Sequence, residues 1–195
     1  MTGRAHGAVP ARIGVIRNPK SHRNKGQAEP AFAPESLHRD GLHCVAPVTK
    51  AELASVLAEL AGKGIDVLVV DGGDGTMRDV LTHGHAIFGA SWPDLMILPK
   101  GKTNALAVDL GMPDRLSLEQ AIAALPTARA VARRPLLIER LDGEGGAQGE
   151  TAMGFILGAG VFGAAIDAGQ VAHRFGAFQG FAVAMAAGFA VVGAL

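Results

Sequence analysis

Short apolar runs alternate with helical patterns along the first two thirds of the chain. Between the runs, leucine and valine recur at three- and four-residue steps, which predicts amphipathic helices. Strands that alternate with helices predict an α/β domain with a doubly wound, mostly parallel sheet, here over residues 11–128. The predicted strands are residues 12–16, 44–48, 65–70 and 95–98.

Two of the helices carry start signals in the sequence. Thr49 begins T-K-A-E, a capping box with Glu52, and the helix that follows is predicted to end at Gly62 and Gly64. Ser117 and a glutamine three residues later indicate the start of another helix. These signals predict the residues at which the two helices begin.

A short helix is predicted after residue 76, with Met77, Val80 and Leu81 facing the core. His83 and His85 flank a glycine just beyond it and are predicted to lie in an exposed loop. Because no third ligand is near them in the sequence, metal binding by this pair is not favoured.

The pattern changes near residue 130. Residues 131–141 alternate in part, residues 142–146 are typical of a hairpin turn, and residues 151–157 are predicted to return antiparallel. Residues 129–195 are therefore predicted to be a partial β-rich second domain with a C-terminal helix. Residues 175–195 are uncharged and long enough to span a bilayer, but their alanines and glycines favour a helix packed on the second domain.

Composition narrows the class of protein. A formal net charge of zero predicts no general electrostatic attraction to nucleic acid or to anionic membrane. The single cysteine, Cys44, excludes a disulfide framework and indicates a reducing compartment. The first residues lack the apolar run of a signal peptide, so a cytoplasmic location is predicted.

The most informative segment is D-G-G-D-G-T, residues 71–76, between a predicted buried strand and a helix. Its glycines permit consecutive N–H groups to turn toward an anion, and Thr76 adds a hydroxyl at the helix N-terminus. Asp74 is predicted to be catalytic, holding magnesium or contacting a nucleotide; the alternative is a helix cap in a structural turn. The three glycines are Gly72, Gly73 and Gly75.

Two further polar loops follow other predicted strands: residues 18–26, which begin N-P-K-S, and residues 99–104, P-K-G-K-T-N. The carboxyl ends of parallel strands lie at one edge of a sheet, so these loops are expected beside residues 71–76. Basic residues of the first loop, including Lys20 and Arg23, are expected to balance phosphate charge. The candidate ligands in the two loops are Asn18, Ser21, Gly101, Thr103 and Asn104.

Together the three segments resemble the diacylglycerol kinase catalytic family, which includes sphingosine kinases and bacterial lipid kinases. That family combines N-P-x-S-G, G-G-D-G-T and P-x-G-T-x-N-D segments, and the match spans residues 13–113. The resemblance implies transfer of the γ-phosphate of ATP, with Mg²⁺, to a lipid hydroxyl such as that of diacylglycerol at a membrane surface. It implies that residues 72–76 bind the phosphates and that the nucleotide is surrounded by Asn18, Ser21, Thr49, Gly101, Thr103 and Asn104.

The chain departs from the family pattern at several positions. His22 replaces a glycine, Lys102 a threonine, Ala105 an aspartate and Asp79 a glutamate. Family members are longer, and their general base and metal-binding loop come from the later part of the second domain. Three functions stay open at this point: a lipid kinase, an enzyme like NAD kinase, which shares G-G-D-G-T, and a nucleotide-binding remnant without catalysis. The acceptor lipid and a homodimer are also left open.

Overall fold

The computed structural model describes residues 12–26, 40–141, 149 and 151–157. Through Phe155 the chain forms one compact unit, and a second unit begins at Ile156. The predicted turn at residues 142–146 and the uncharged segment at residues 175–195 lie outside the described residues. Among the described helices, none has the length and hydrophobicity needed to cross a membrane.

The first sheet has four strands in the order β2-β1-β3-β4, and every neighbouring pair is parallel. The two central strands, β1 and β3, are buried along their whole length because their runs are apolar on both faces. Each predicted strand is present, displaced by one to three residues. The bounds are β1 Ile13–Arg17, β2 Leu42–Val45, β3 Val67–Gly72 and β4 Asp94–Pro99.

Helices cover both faces of this sheet. Alternate residues of β3 enter two separate core clusters: Leu68 and Val70 pack with α1, α2 and α3, whereas Val67 and Val69 pack with α4. The predicted doubly wound α/β fold is therefore confirmed. The helices are α1 Lys50–Gly62, α2 Asp74–Phe88, α3 Ala105–Asp109 and α4 Leu118–Ala124.

The predicted capping box at α1 forms only in part. The Thr49 hydroxyl accepts from the Glu52 N–H at 3.1 Å, as predicted, but the Glu52 carboxylate accepts from the Val48 N–H at 2.8 Å rather than from Thr49. At α4 both bonds of the box are present, between Ser117 and Gln120. Both helices therefore begin at the residue that the sequence predicted.

The helix after residue 76 is longer than predicted. Because α2 continues to Phe88, His83 and His85 lie within it, and the interpretation of this stretch as an exposed loop is wrong. Gly84 does not end the helix. A Cβ there would lie 2.5 Å from the Trp92 ring, so glycine is required for Trp92 to pack on the helix. The residues that the structure describes contain no group of three metal-ligating side chains.

We expect Gly84→Ala to destabilise the protein. Alanine favours a helix by about 1 kcal/mol over glycine, but the rigid Trp92 ring would have to move, and such overpacking costs about 1–3 kcal/mol. Chemical denaturation should therefore show a net loss of stability. Gly62→Ala is the control, because a Cβ at Gly62 has nothing within 4 Å. An unchanged or higher stability of Gly84→Ala would contradict this packing argument.

A hairpin follows the parallel sheet. Strands β5 (Leu136–Ile138) and β6 (Ala152–Gly154) pair antiparallel, which confirms the predicted change in strand direction. Met153 is buried in the core cluster of α2, and its N–H donates to the Thr82 hydroxyl at 2.9 Å. The hairpin is thus held against α2. The domain boundary near residue 128 stays a prediction.

Candidate functional site

The three polar loops meet at the carboxyl edge of the parallel sheet and enclose a cleft of about 390 Å³. Eight of the eleven predicted ligands line it, together with Asp79 and Lys102, two of the positions that depart from the family pattern. The lining residues are Asn18, Ser21, Gly73, Asp74, Gly75, Thr76, Asp79, Gly101, Lys102 and Thr103.

The N-terminus of α2 opens into this cleft. Its N-cap is Gly73, which supplies no side-chain cap, and the first N–H groups of any α-helix lack partners within the helix. The Thr76 hydroxyl lies beside them and accepts from the Asn18 amide at 2.9 Å, with the Ser21 hydroxyl 3.5 Å away. Backbone N–H groups, a helix dipole and hydroxyls on one wall are groups that favour binding of an anion.

Asp74 has a structural partner that local sequence does not reveal. Its two carboxylate oxygens accept from the backbone N–H groups of Ala105 and Leu106, at 2.9 and 3.0 Å. The carboxylate therefore caps α3 across the cleft and joins the β3–α2 loop to the β4–α3 loop. Asp74 therefore has a structural role in joining these loops, and its catalytic role stays a prediction.

The same two loops are in direct backbone contact. A Cβ on Gly73 would lie 2.7 Å from the Gly101 Cα, and a Cβ on Gly101 would lie 2.8 Å from the Gly73 Cα. The Lys100 N–H donates to the Gly72 carbonyl at 3.1 Å. Both glycines are therefore required by the close approach of two backbones.

We expect Gly73→Ala to weaken binding of an anionic ligand in the cleft by roughly tenfold, because the two loops must separate by several tenths of an ångström and small displacements in a positioned site are costly. The clash is with backbone, so no rotamer change can relieve it. Equilibrium binding of a fluorescent ATP analogue measures the effect. Gly62→Ala should match the wild type, and a Gly73→Ala protein that binds normally would contradict the argument.

Three predicted ligands do not line the cleft. Thr49 is the exposed N-cap of α1. Gly72 lies beneath Thr76, whose side chain would be 2.5 Å from a Cβ at Gly72. Asn104 is buried in a left-handed conformation, with φ of 55°, and its amide bonds to both the N–H and the carbonyl of Gly101. Gly72 and Asn104 shape the loops.

A buried charged pair lies under the cleft. Arg17, the last residue of β1, faces Asp71 of β3, and the guanidinium Nη1 is 3.2 Å from the carboxylate Oδ2. Burial raises the pKa of Asp71, although Arg17 and Lys100 act in the opposite direction. Burial likewise lowers the pKa of Lys100, opposed by Asp71. Sequence reasoning missed this pair, and the available signal was a charge at the end of each of two apolar runs.

Asn24 connects the first loop to this pair. Its side-chain nitrogen lies 3.0 Å from the Asn18 carbonyl, 3.1 Å from the Asp71 carbonyl and 3.3 Å from the Asp71 carboxylate. Asn24 is only 1% exposed. The amide therefore holds the loop at residues 18–26 down on the end of β3.

Arg23 attaches the first loop to the third. Its N–H donates to the Lys100 carbonyl at 3.0 Å, and its guanidinium donates to the Pro99 carbonyl at 3.2 Å and to the Asp114 carboxylate at 2.8 Å. It was expected to balance phosphate charge, but these bonds make it a structural residue of the loops. Lys102 lines the cleft and brings a positive charge to its wall.

Comparison with known proteins identifies the family. The family model for the diacylglycerol kinase catalytic domain matches residues 12–134 of this chain. The chain belongs to the diacylglycerol kinase catalytic domain family. The match covers the whole parallel sheet and all three loops of the cleft, so the three predicted motifs are the family's motifs.

Individual relatives are similar to this chain over part of their length. A protein named probable lipid kinase YegS-like, from Enterobacter sp. (strain 638), is 30% identical over 82 residues, which are 42% of this chain and 27% of the relative. A crystal structure of a diacylglycerol kinase from Bacillus anthracis str. Sterne is 23% identical, with a TM-score of 0.49, over 62% of this chain and 42% of that one. The matched parts thus span well under half of these relatives.

Proposed function

We propose that this chain is an ATP-dependent lipid kinase, which transfers the γ-phosphate of ATP to the hydroxyl of a lipid such as diacylglycerol. The observation that carries the proposal is the N-terminus of α2, which has no side-chain cap and opens into the cleft. Membership of the diacylglycerol kinase catalytic domain family supports the lipid acceptor.

The cleft fits the phosphates of a nucleotide. Glycine at positions 73 and 75 leaves the backbone N–H groups accessible, and Asn18, Ser21 and Thr76 add amide and hydroxyl groups. Lys102 adds a positive charge at the wall. Phosphoryl transfer depends mainly on positioning and on neutralising charge, and these groups supply both.

Mg²⁺ is the second cofactor in this proposal and would neutralise the phosphates during transfer. Such an ion usually takes one or two carboxylates together with phosphate oxygens. Asp79 and Asp74 are the carboxylates on the cleft wall. Asp74 already accepts two backbone bonds, whereas Asp79 has a partly exposed ion pair with Arg78, so Asp79 is the better candidate ligand.

We also propose that the acceptor is reached at a membrane surface from the cytoplasm. Diacylglycerol is held in a bilayer, so an enzyme that acts on it must meet that surface. The absence of net charge predicts no general attraction to nucleic acid, which leaves lipid and nucleotide as the proposed partners.

Transfer of labelled phosphate from ATP tests the proposal directly. The protein is incubated with Mg²⁺ and, in separate reactions, with diacylglycerol, a sphingoid base and NAD. We expect labelled phosphatidic acid from diacylglycerol. Transfer to NAD alone would contradict the lipid-kinase assignment, and ATP binding without transfer to any acceptor would instead support a non-catalytic nucleotide-binding protein.

A further inference from the structure

A second cavity lies behind the cleft and is not used by the proposed phosphate chemistry. Its volume is about 340 Å³, which falls at the lower end of the range for small-molecule sites, about 300–1,000 Å³. It is bounded by α2, β4, α3 and the segment at residues 130–135, all within the compact unit that ends at Phe155.

The lining of this cavity is mainly apolar. The lining includes Met77 and Leu81 of α2, Leu106 of α3 and the aromatic residues Trp92 and Phe155, and its charged residues are Asp94 and Arg133. Arg133 pairs with Asp109 at 3.2 Å, and both side chains are exposed. A ligand in the interior would find few hydrogen-bond partners, so a polar molecule would lose its hydration without replacement. Hydrocarbon has no such cost.

Trp92 gives the cavity a fixed wall. Its ring stands 4.8 Å from the Phe88 ring and rests on the bare backbone of Gly84. Met77, also in the lining, has an unbranched side chain that can adapt to ligands of different shape. A rigid aromatic ring together with an adaptable thioether suits a flexible alkyl chain.

The cavity and the phosphate cleft share one partition. Thr76 lines the cleft and Met77, the next residue, lines the cavity. Asp74 lines the cleft and accepts from the N–H of Leu106, whose side chain lines the cavity. Thus α2 and the Asp74–Leu106 contact separate the two spaces, and a hydrocarbon chain in the cavity would lie beside the wall of the cleft.

We infer that this cavity binds an acyl chain of the lipid acceptor. The inference rests on the proposed function for the identity of the acceptor. Binding of the chain itself depends only on the cavity. Affinity should rise about fourfold for each added CH₂ while the cavity fills.

The protein carries its own probe, because Trp92 is the only tryptophan in the sequence. Monoacylglycerols whose acyl chains are brominated quench tryptophan fluorescence on contact. We expect saturable quenching of Trp92, with affinity increasing from hexanoyl to dodecanoyl glycerol. Absence of quenching, or an affinity independent of chain length, would overturn the inference.

A filled cavity should lose this binding. Ala130→Phe places a ring in the cavity wall, and Ala132→Phe, at an exposed position, does so with less risk to folding. Each should weaken dodecanoyl glycerol binding by at least tenfold. Ala123→Phe is the control, because Ala123 is exposed on α4, which packs on the other face of the sheet. Equal quenching in all three variants would place the lipid elsewhere.

Transfer assays separate this inference from the proposed function. If the protein is a kinase, Ala132→Phe should raise the KM for long-chain diacylglycerol and leave the affinity for ATP unchanged. Quenching by brominated chains with no kinase activity would support the cavity and contradict the function. Kinase activity without any effect of chain length would support the function and contradict the cavity.

Discussion

Arg17→Met is expected to lower the free energy of unfolding by about 3–5 kcal/mol, because it leaves the Asp71 carboxylate buried without its cation. Asp71 is 2% exposed, and the Arg17 guanidinium is its ion-pair partner at 3.2 Å. Methionine retains most of the volume of the arginine side chain, so the loss of stability measures the removal of the charge rather than the creation of a cavity. Urea denaturation at neutral pH measures it.

Two companion measurements identify the cause. The double variant Arg17→Met/Asp71→Asn removes both charges and should recover most of the stability, which a double-mutant cycle quantifies. Burial raises the pKa of Asp71 in the folded protein. A carboxyl whose pKa is raised in the folded state holds its proton more tightly there than in the unfolded chain. The free energy of unfolding therefore falls as the pH rises through that pKa. Arg17→Met should therefore lose less stability in mild acid than at neutral pH. An equal loss at both pH values would contradict this explanation.

Asp74→Ala is expected to reduce phosphate transfer by at least 100-fold, because two loops of the cleft lose their link and misplacement of about 1 Å can cost that much. The Ala105 and Leu106 N–H groups would lose their acceptor, which should lower the free energy of unfolding by about 1–3 kcal/mol. The transfer assay and urea denaturation measure the two effects separately.

The control for Asp74→Ala is Glu59→Ala. Glu59 is an exposed carboxylate on α1, paired with Lys63 four residues away, and such pairs contribute only about 0.3–0.5 kcal/mol. Glu59→Ala should leave phosphate transfer and the free energy of unfolding nearly unchanged. Asp74→Asn keeps the shape but offers one acceptor in place of two, so its activity should lie between those of alanine and wild type. An Asp74→Ala protein with normal transfer would refute the role given to this residue.

Local sequence predicted the strands and the position of the cleft well. It failed where the local structure depends on contact with a residue distant in the sequence. The run at residues 65–70 is apolar on both faces, which is sufficient to bury it at the centre of a sheet. The stretch around Gly84 was predicted to be an exposed loop beyond a short helix. Trp92 makes a glycine necessary at that point, and the helix continues.

The sequence by itself determined the α/β alternation, the parallel sheet and the three polar loops at one edge. These follow from hydrophobic periodicity and glycine content, which act on each segment independently. Only the tertiary structure decided that Asp74 binds α3, that Arg17 pairs with Asp71, and that Asn104 supports a loop instead of lining the cleft. Hydrogen bonds and ion pairs require a partner within about 3 Å. The partner of Asp74 lies 31 residues away in the sequence and that of Arg17 lies 54 residues away, so packing between distant segments determines both contacts.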